Sequence, residues 1–188
     1  MNHLALTIFK AAENGAWSGF IAAWTVSSIL FAVEFAFGVQ GGIFYSVIGM
    51  TLGVTGSPLD SALAGFLLHI LAGTLIGAAG GLSIAVCPVL AIYRITKGLV
   101  VGVSIGMVAW AVLFLPVTAL AVIPTLDRIL IPLAENSELY TIASQASGML
   151  TVVIAGSIIF HVLYGLVYGT MMTLLMPYKS RELENIHR

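Results

Sequence analysis

Long apolar runs, separated by short polar or glycine- and proline-bearing stretches, set the pattern of this chain. A helix crossing the ~30 Å hydrocarbon core of a bilayer needs about 20 largely apolar residues. Four segments have that length, at roughly 15–37, 59–87, 95–123 and 141–176. The pattern therefore predicts an all-α membrane protein, built as a four-helix transmembrane bundle. Ser57-Pro58-Leu59-Asp60 reads as a helix start, with a capping serine, a proline in the first turn and an acid three residues after the cap. Pro116 inside the third segment removes a backbone donor and predicts a bend near Val112. Pro177 marks the end of the fourth. The uncharged stretch 39–56 holds Gly41, Gly42, Gly49, Gly53 and Gly56, and its apolar part is short. It reads as an outer connection that does not cross the membrane and packs against protein.

The two halves share a pattern. His69-Ile70-Leu71-Ala72-Gly73 is followed by Gly77, and His161-Val162-Leu163-Tyr164-Gly165 is followed by Gly169, 92 residues later in each case. Gly15, Gly19, Leu30 and Phe31 match Gly98, Gly102, Leu113 and Phe114 at a constant offset of 83. The expected organisation is two parallel two-helix repeats, 1–92 and 93–178, followed by a tail, 179–188. The extra nine residues of the second half fall in its outer connection.

Charge fixes the expected orientation. With four spans, Lys10, Arg94, Lys97, Lys179, Arg181 and Arg188 fall on one side and only Arg128 on the other. By the positive-inside rule both termini are cytoplasmic, in a multi-pass protein of the cell membrane. Lys10 precedes an apolar run too long for a signal sequence, so the first span reads as uncleaved. Composition agrees: 60% of the 188 residues are hydrophobic and 8% charged, which leaves no water-soluble domain of useful size. A net charge of -1 argues against nucleic acid as a partner, and the single cysteine, Cys87, can form no internal disulfide.

Candidate chemistry is sparse. Intramembrane ionisable groups are functional candidates by default, which singles out Glu34, His69 and His161. The histidines could ligate haem or a metal, or relay protons. They could equally be neutral groups donating to a neighbouring helix. Glu34 could bind a cation, pair with a partner's basic residue, sit protonated or reach the interface. There is no nucleotide loop, catalytic triad or zinc-ligand pair at helical spacing, so no cofactor and no metal site is expected in this chain alone. Small residues four apart, Gly15 with Gly19, Gly73 with Gly77, Gly98 with Gly102 and Gly165 with Gly169, form ridges that let helix backbones approach closely. They serve packing within the bundle, contact with partner subunits, or both.

His69 at the head of a glycine-rich helix ending near Pro88, the basic turn from Arg94 to Lys97, Gly98 and Gly102, Leu115-Pro116, and the closing segment from His161 to Gly169 together form a further pattern. Over roughly 59–177 the chain resembles the small YagU-like inner-membrane family, which implies a helical membrane protein rather than a reaction. It departs from that family in lacking a histidine before the proline of the third span, which weakens a multi-histidine metal site. The small, glycine-rich, nearly uncharged four-span plan is also similar to accessory helical subunits of archaeal ammonia monooxygenase, a copper membrane enzyme. That likeness implies a structural or assembly subunit, since the clustered histidines of the catalytic subunits are missing. The expectation is a non-catalytic membrane subunit of a larger complex, with other membrane subunits and the lipid bilayer as partners. The alternatives are a small-solute or ion carrier working as a homo-oligomer, and a histidine-ligated haem or metal protein.

Overall fold

The computed structural model describes residues 3–130 and 137–175, and every element among them is helical. Helix α1 runs His3–Ala36. A short helix, α2, covers Ile43–Thr51. Helix α3 is Pro58–Val86, followed by a single 3₁₀ turn at Pro88–Leu90. Helix α4 extends over Ile95–Leu130. Helix α5 is Glu138–Gly148 and α6 is Leu150–Leu175. Four of these, α1, α3, α4 and α6, are long and apolar enough to cross a membrane. The chain is thus an all-α, multi-pass membrane protein.

Local chemistry explains the boundaries. Ser57 caps α3 by accepting from the Asp60 N–H at 3.1 Å, and its own hydroxyl donates to the Asp60 carboxylate at 2.8 Å. Ser137 caps α5 in the same way, accepting from the Tyr140 N–H at 3.1 Å. The nine residues of α2 rise only about 14 Å, less than half a hydrocarbon core. Glycines with positive φ mark its flanks, at Gly38, Gly42 and Gly53, where a side chain would be strained.

Two segments differ from the expectation. The fourth apolar run is not one helix from 141 to 176: it breaks at Met149, between α5 and α6. Polar Ser144, Gln145 and Ser147 lead into Gly148, the poorest helix former short of proline, and the backbone turns there. In the third run, Pro116 is absorbed by two wide π-type turns, Trp110–Phe114 and Thr118–Val122. The Leu115 N–H reaches back five residues to Trp110 O, and the Ile123 N–H five residues to Thr118 O. Widening the helix on both sides accommodates the proline without ending it.

The chain forms two compact units that cut across its two halves. The first holds the described residues up to Thr25, Ala72–Met107, and those from His161 onward. The second holds Val26–Leu71 and the described residues of Val108–Phe160. In the second unit, Ile43, Val47 and Met50 of α2 form an apolar core with Leu126 of α4 and Ile142 and Ala143 of α5. Residues 131–136 and 176–188 lie outside the described residues, and with them Pro177, the expected end of the fourth span, and Lys179, Arg181 and Arg188 of the tail.

Candidate functional site: a glycine seam and a buried polar cluster

In the first unit, the glycine ridges meet each other. A Cβ built on Gly77 would fall against Gly15 O and lie 2.7 Å from Gly19 Cα. One on Gly19 would fall against Gly73 O and lie 2.8 Å from Gly77 Cα. One on Gly15 would meet Gly77 O and the Gly81 backbone. Helices α1 and α3 are therefore in backbone contact, which only residues without side chains permit.

The α4–α6 pair repeats this register. Gly98 faces Gly169 and Thr173, as Gly15 faces Gly77 and Gly81. Gly102 faces Gly165 and Gly169, as Gly19 faces Gly73 and Gly77. Gly106 faces the His161 carbonyl and Gly165, while Ala23, which matches it at the offset of 83, packs its methyl on Gly73. All eight glycines singled out from the sequence sit on these two seams.

Two tyrosines tie a third helix to α3. The Tyr164 hydroxyl donates to Gly73 O at 2.6 Å, and the Tyr168 hydroxyl to Gly77 O at 3.1 Å. Their rings stack at 6.1 Å, with planes 8° apart. A glycine carbonyl reachable by a second donor is a product of the missing side chain. Sequence reasoning missed these tyrosines, although each directly precedes a seam glycine.

The second unit holds the polar groups. Glu34 is 2% exposed, and its two oxygens accept from the Gly42 N–H at 2.6 Å and the Phe44 N–H at 3.2 Å. The carboxylate of α1 thus supplies the N-terminal cap that α2 lacks in its own sequence, where Gly42 stands at the capping position. Carboxylates are favoured at a helix N-terminus by the exposed N–H groups and the helix dipole. The geometry shows a role that the sequence reading did not include: Glu34 caps a helix from outside it.

Tyr45 of α2 is 1% exposed. Its ring lies 5.5 Å from Phe31, 5.5 Å from Phe66 and 5.6 Å from His69, edge-on to the last two. Burial pushes the Tyr45 phenol up to about 12; Ser27 works against that shift and Glu34 adds to it. Among the described residues, no group forms a hydrogen bond of acceptable geometry with the Tyr45 hydroxyl. Below this ring α2 rests on α3: a Cβ on Gly65 would lie 2.7 Å from the Tyr45 carbonyl carbon, and one on Gly49 2.7 Å from Ser61 Cα. Elsewhere in the second unit, the Trp110 indole N–H, in the first wide turn of α4, donates to Ser157 Oγ at 2.8 Å.

His69 and His161 belong to different compact units. Both lie on ridges four residues apart that run further than the glycines alone suggest: Ser61, Gly65, His69, Gly73, Gly77 and Gly81 on α3, and Ser157, His161, Gly165, Gly169 and Thr173 on α6. Each ridge is the packing seam of its helix. Among the described residues no group of three or more His, Cys, Asp and Glu side chains could hold a metal ion. No family model matches the chain, and neither does any curated protein or solved structure.

Proposed function

We propose that this protein is a non-catalytic integral membrane subunit, acting as a structural or assembly component of a larger membrane complex. The observation that carries this reading is how the buried polar groups are spent. Glu34 caps α2, Tyr164 and Tyr168 fasten α6 to α3, and Trp110 bonds Ser157. Each joins one piece of the chain to another, as a scaffold requires. The repeated seam registers support an internal duplication, and the charge split supports cytoplasmic termini. Helix faces bearing Trp17, Leu75, Val112, Leu120 and Val152 are left exposed, available to lipid and to other subunits. A copper-dependent ammonia monooxygenase is the complex that the likeness of plan suggests first.

Gentle solubilisation of native membranes, followed by identification of the chains that migrate with this one, tests the proposal. A stable particle containing other membrane subunits supports it. A pure homo-oligomer with no other chain would sink it and favour the second reading, a small-solute or ion carrier, for which the Glu34, Tyr45 and His69 cluster is the supporting observation.

A further inference from the structure

The two wide turns of α4 come from one seven-residue pattern used twice. Trp110-Ala111-Val112-Leu113-Phe114-Leu115-Pro116 is matched eight residues later by Thr118-Ala119-Leu120-Ala121-Val122-Ile123-Pro124. In a regular helix the Leu115 N–H serves the Ala111 carbonyl, four residues back. Here it serves Trp110 O instead. The donor that a wide turn then needs for Ala111 is the N–H of residue 116, and a proline has none. Ala119 is left in the same way, since the Ile123 N–H goes to Thr118 O and the next residue is Pro124. Among the described residues no side chain donates to either carbonyl. Both alanines are exposed, in a run that also exposes Val112, Leu113, Val117 and Leu120. Ala111 comes 16 residues before Asp127 and Ala119 eight, roughly 24 and 12 Å at 1.5 Å per residue. With Asp127 and Arg128 in the headgroup layer, about 5–7 Å thick, both carbonyls lie in hydrocarbon. An unpaired carbonyl is costly there, because no water replaces the missing donor.

We propose that this face of α4 docks a transmembrane helix of another subunit, which donates side-chain hydrogen bonds to the Ala111 and Ala119 carbonyls, an interface that rests on the reading of the chain as one subunit of a larger complex. The acceptors set the chemistry of the partner. It presents hydroxyl, amide or indole N–H donors about 12 Å apart along its axis, two turns of helix. Eight residues fall about 80° beyond two regular turns. Wide turns hold more residues each, take up part of that angle, and bring the two carbonyls towards one face. A hard cation does not fit, since it needs six or more oxygens around one point and these two are far apart. A second copy of this chain, meeting the same face across a two-fold axis, does not fit either. Such a contact is self-complementary. Every exposed side chain from Val108 to Leu120 is apolar, so acceptor would face acceptor with no donor between them.

Photo-crosslinking in native membranes tests this, with benzoylphenylalanine in place of Val112 or of Leu120 in the full-length chain. Both positions are expected to capture one other membrane subunit, through a transmembrane helix bearing Ser, Thr, Tyr, Trp, Asn or Gln two turns apart. Pro116→Ala restores the missing N–H. It is expected to cut the Val112 cross-link by about fivefold, the worth of one hydrogen bond, and to leave the melting midpoint of the purified chain unchanged or raised. Replacing the partner's donors by alanine or phenylalanine should cut the cross-link as far. A cross-link that survives both changes overturns the proposal, and so does capture of a second copy of this chain from both positions. If Pro116→Ala lowers the midpoint, the substitutions in the partner decide. Capture of lipid alone, by a chain that still migrates with other subunits, would remove this interface and leave the subunit reading standing. Capture of lipid alone by a chain that migrates without them would remove both.

Discussion

Gly77→Ala adds one methyl group to the middle of the α1–α3 seam. The new Cβ would lie 2.7 Å from Gly19 Cα and 2.9 Å from Gly19 N. Ordinary carbon–carbon contact begins at about 3.5 Å, so the helices must part by close to 1 Å. The obstacle is backbone, which cannot rotate aside, and this places the overpacking cost near the upper end of the usual range, about 3 kcal/mol. Parting the helices also endangers the Tyr168 bond to Gly77 O, at about 1 kcal/mol. Better helix propensity returns about 1 kcal/mol. The expected net loss is about 3 kcal/mol, roughly a hundredfold in the folding equilibrium. Reversible unfolding in mixed micelles, followed by helical circular dichroism, measures it. Gly156→Ala is the control, since a Cβ there meets nothing within 4 Å, and its expected change is a gain of about 1 kcal/mol from helix propensity alone. Equal losses in the two variants, or a Gly77→Ala loss below about 0.5 kcal/mol, would refute the seam argument.

Gly169→Ala should cost about as much as Gly77→Ala, because the new Cβ would lie 2.7 Å from the Gly98 carbonyl carbon in the matching register; the same unfolding assay compares them. Glu34→Gln should weaken the cap of α2 and speed amide hydrogen exchange at Gly42 and Phe44 several-fold, since capping bonds contribute about 0.5–2 kcal/mol; unchanged protection at both amides would contradict the capping role. Tyr45 holds its proton to about pH 12 when folded, but only to its ordinary value of 10 when unfolded. Its contribution is therefore complete below pH 10 and lost as pH rises towards 12, on the order of 2–3 kcal/mol in total. Unfolding titrations between pH 9 and 12 should show this loss in the wild-type protein and a shallower one in Tyr45→Phe.

The four spans were legible because uncharged apolar runs of about twenty residues rarely occur outside a bilayer. The seams were legible because glycine at four-residue spacing is a pattern that survives without knowledge of the fold. The partner of each seam was not legible: nothing in Gly15 names Gly77. The break at Met149 was hidden because Ile142 and Ala143 are as apolar as a span requires, although they pack against the short α2 and the far end of α4 at Leu126. The role of Glu34 was hidden for a related reason. Its partners are backbone N–H groups eight and ten residues ahead, across a turn whose shape depends on Gly38 and Gly42. Backbone donors carry no residue signature. The histidines drew attention by their chemistry, whereas their place on ridges that extend to Ser61 and Ser157 was present in the spacing and needed only a longer window.

The cap on α2 has a consequence for the order in which the chain matures. Nine residues are too few to hold a helix alone in water. Glu34 leaves the ribosome before α2 and can wait for it, but Ser61 and Gly65, on which α2 rests, come afterwards. Leu126, Ile142 and Ala143, which close the other side of α2, are made later still. The short helix between the first two spans is therefore among the last parts to settle, and a chain interrupted before α5 is synthesised would leave Ile43, Val47 and Met50 uncovered for whatever attends membrane insertion to shield.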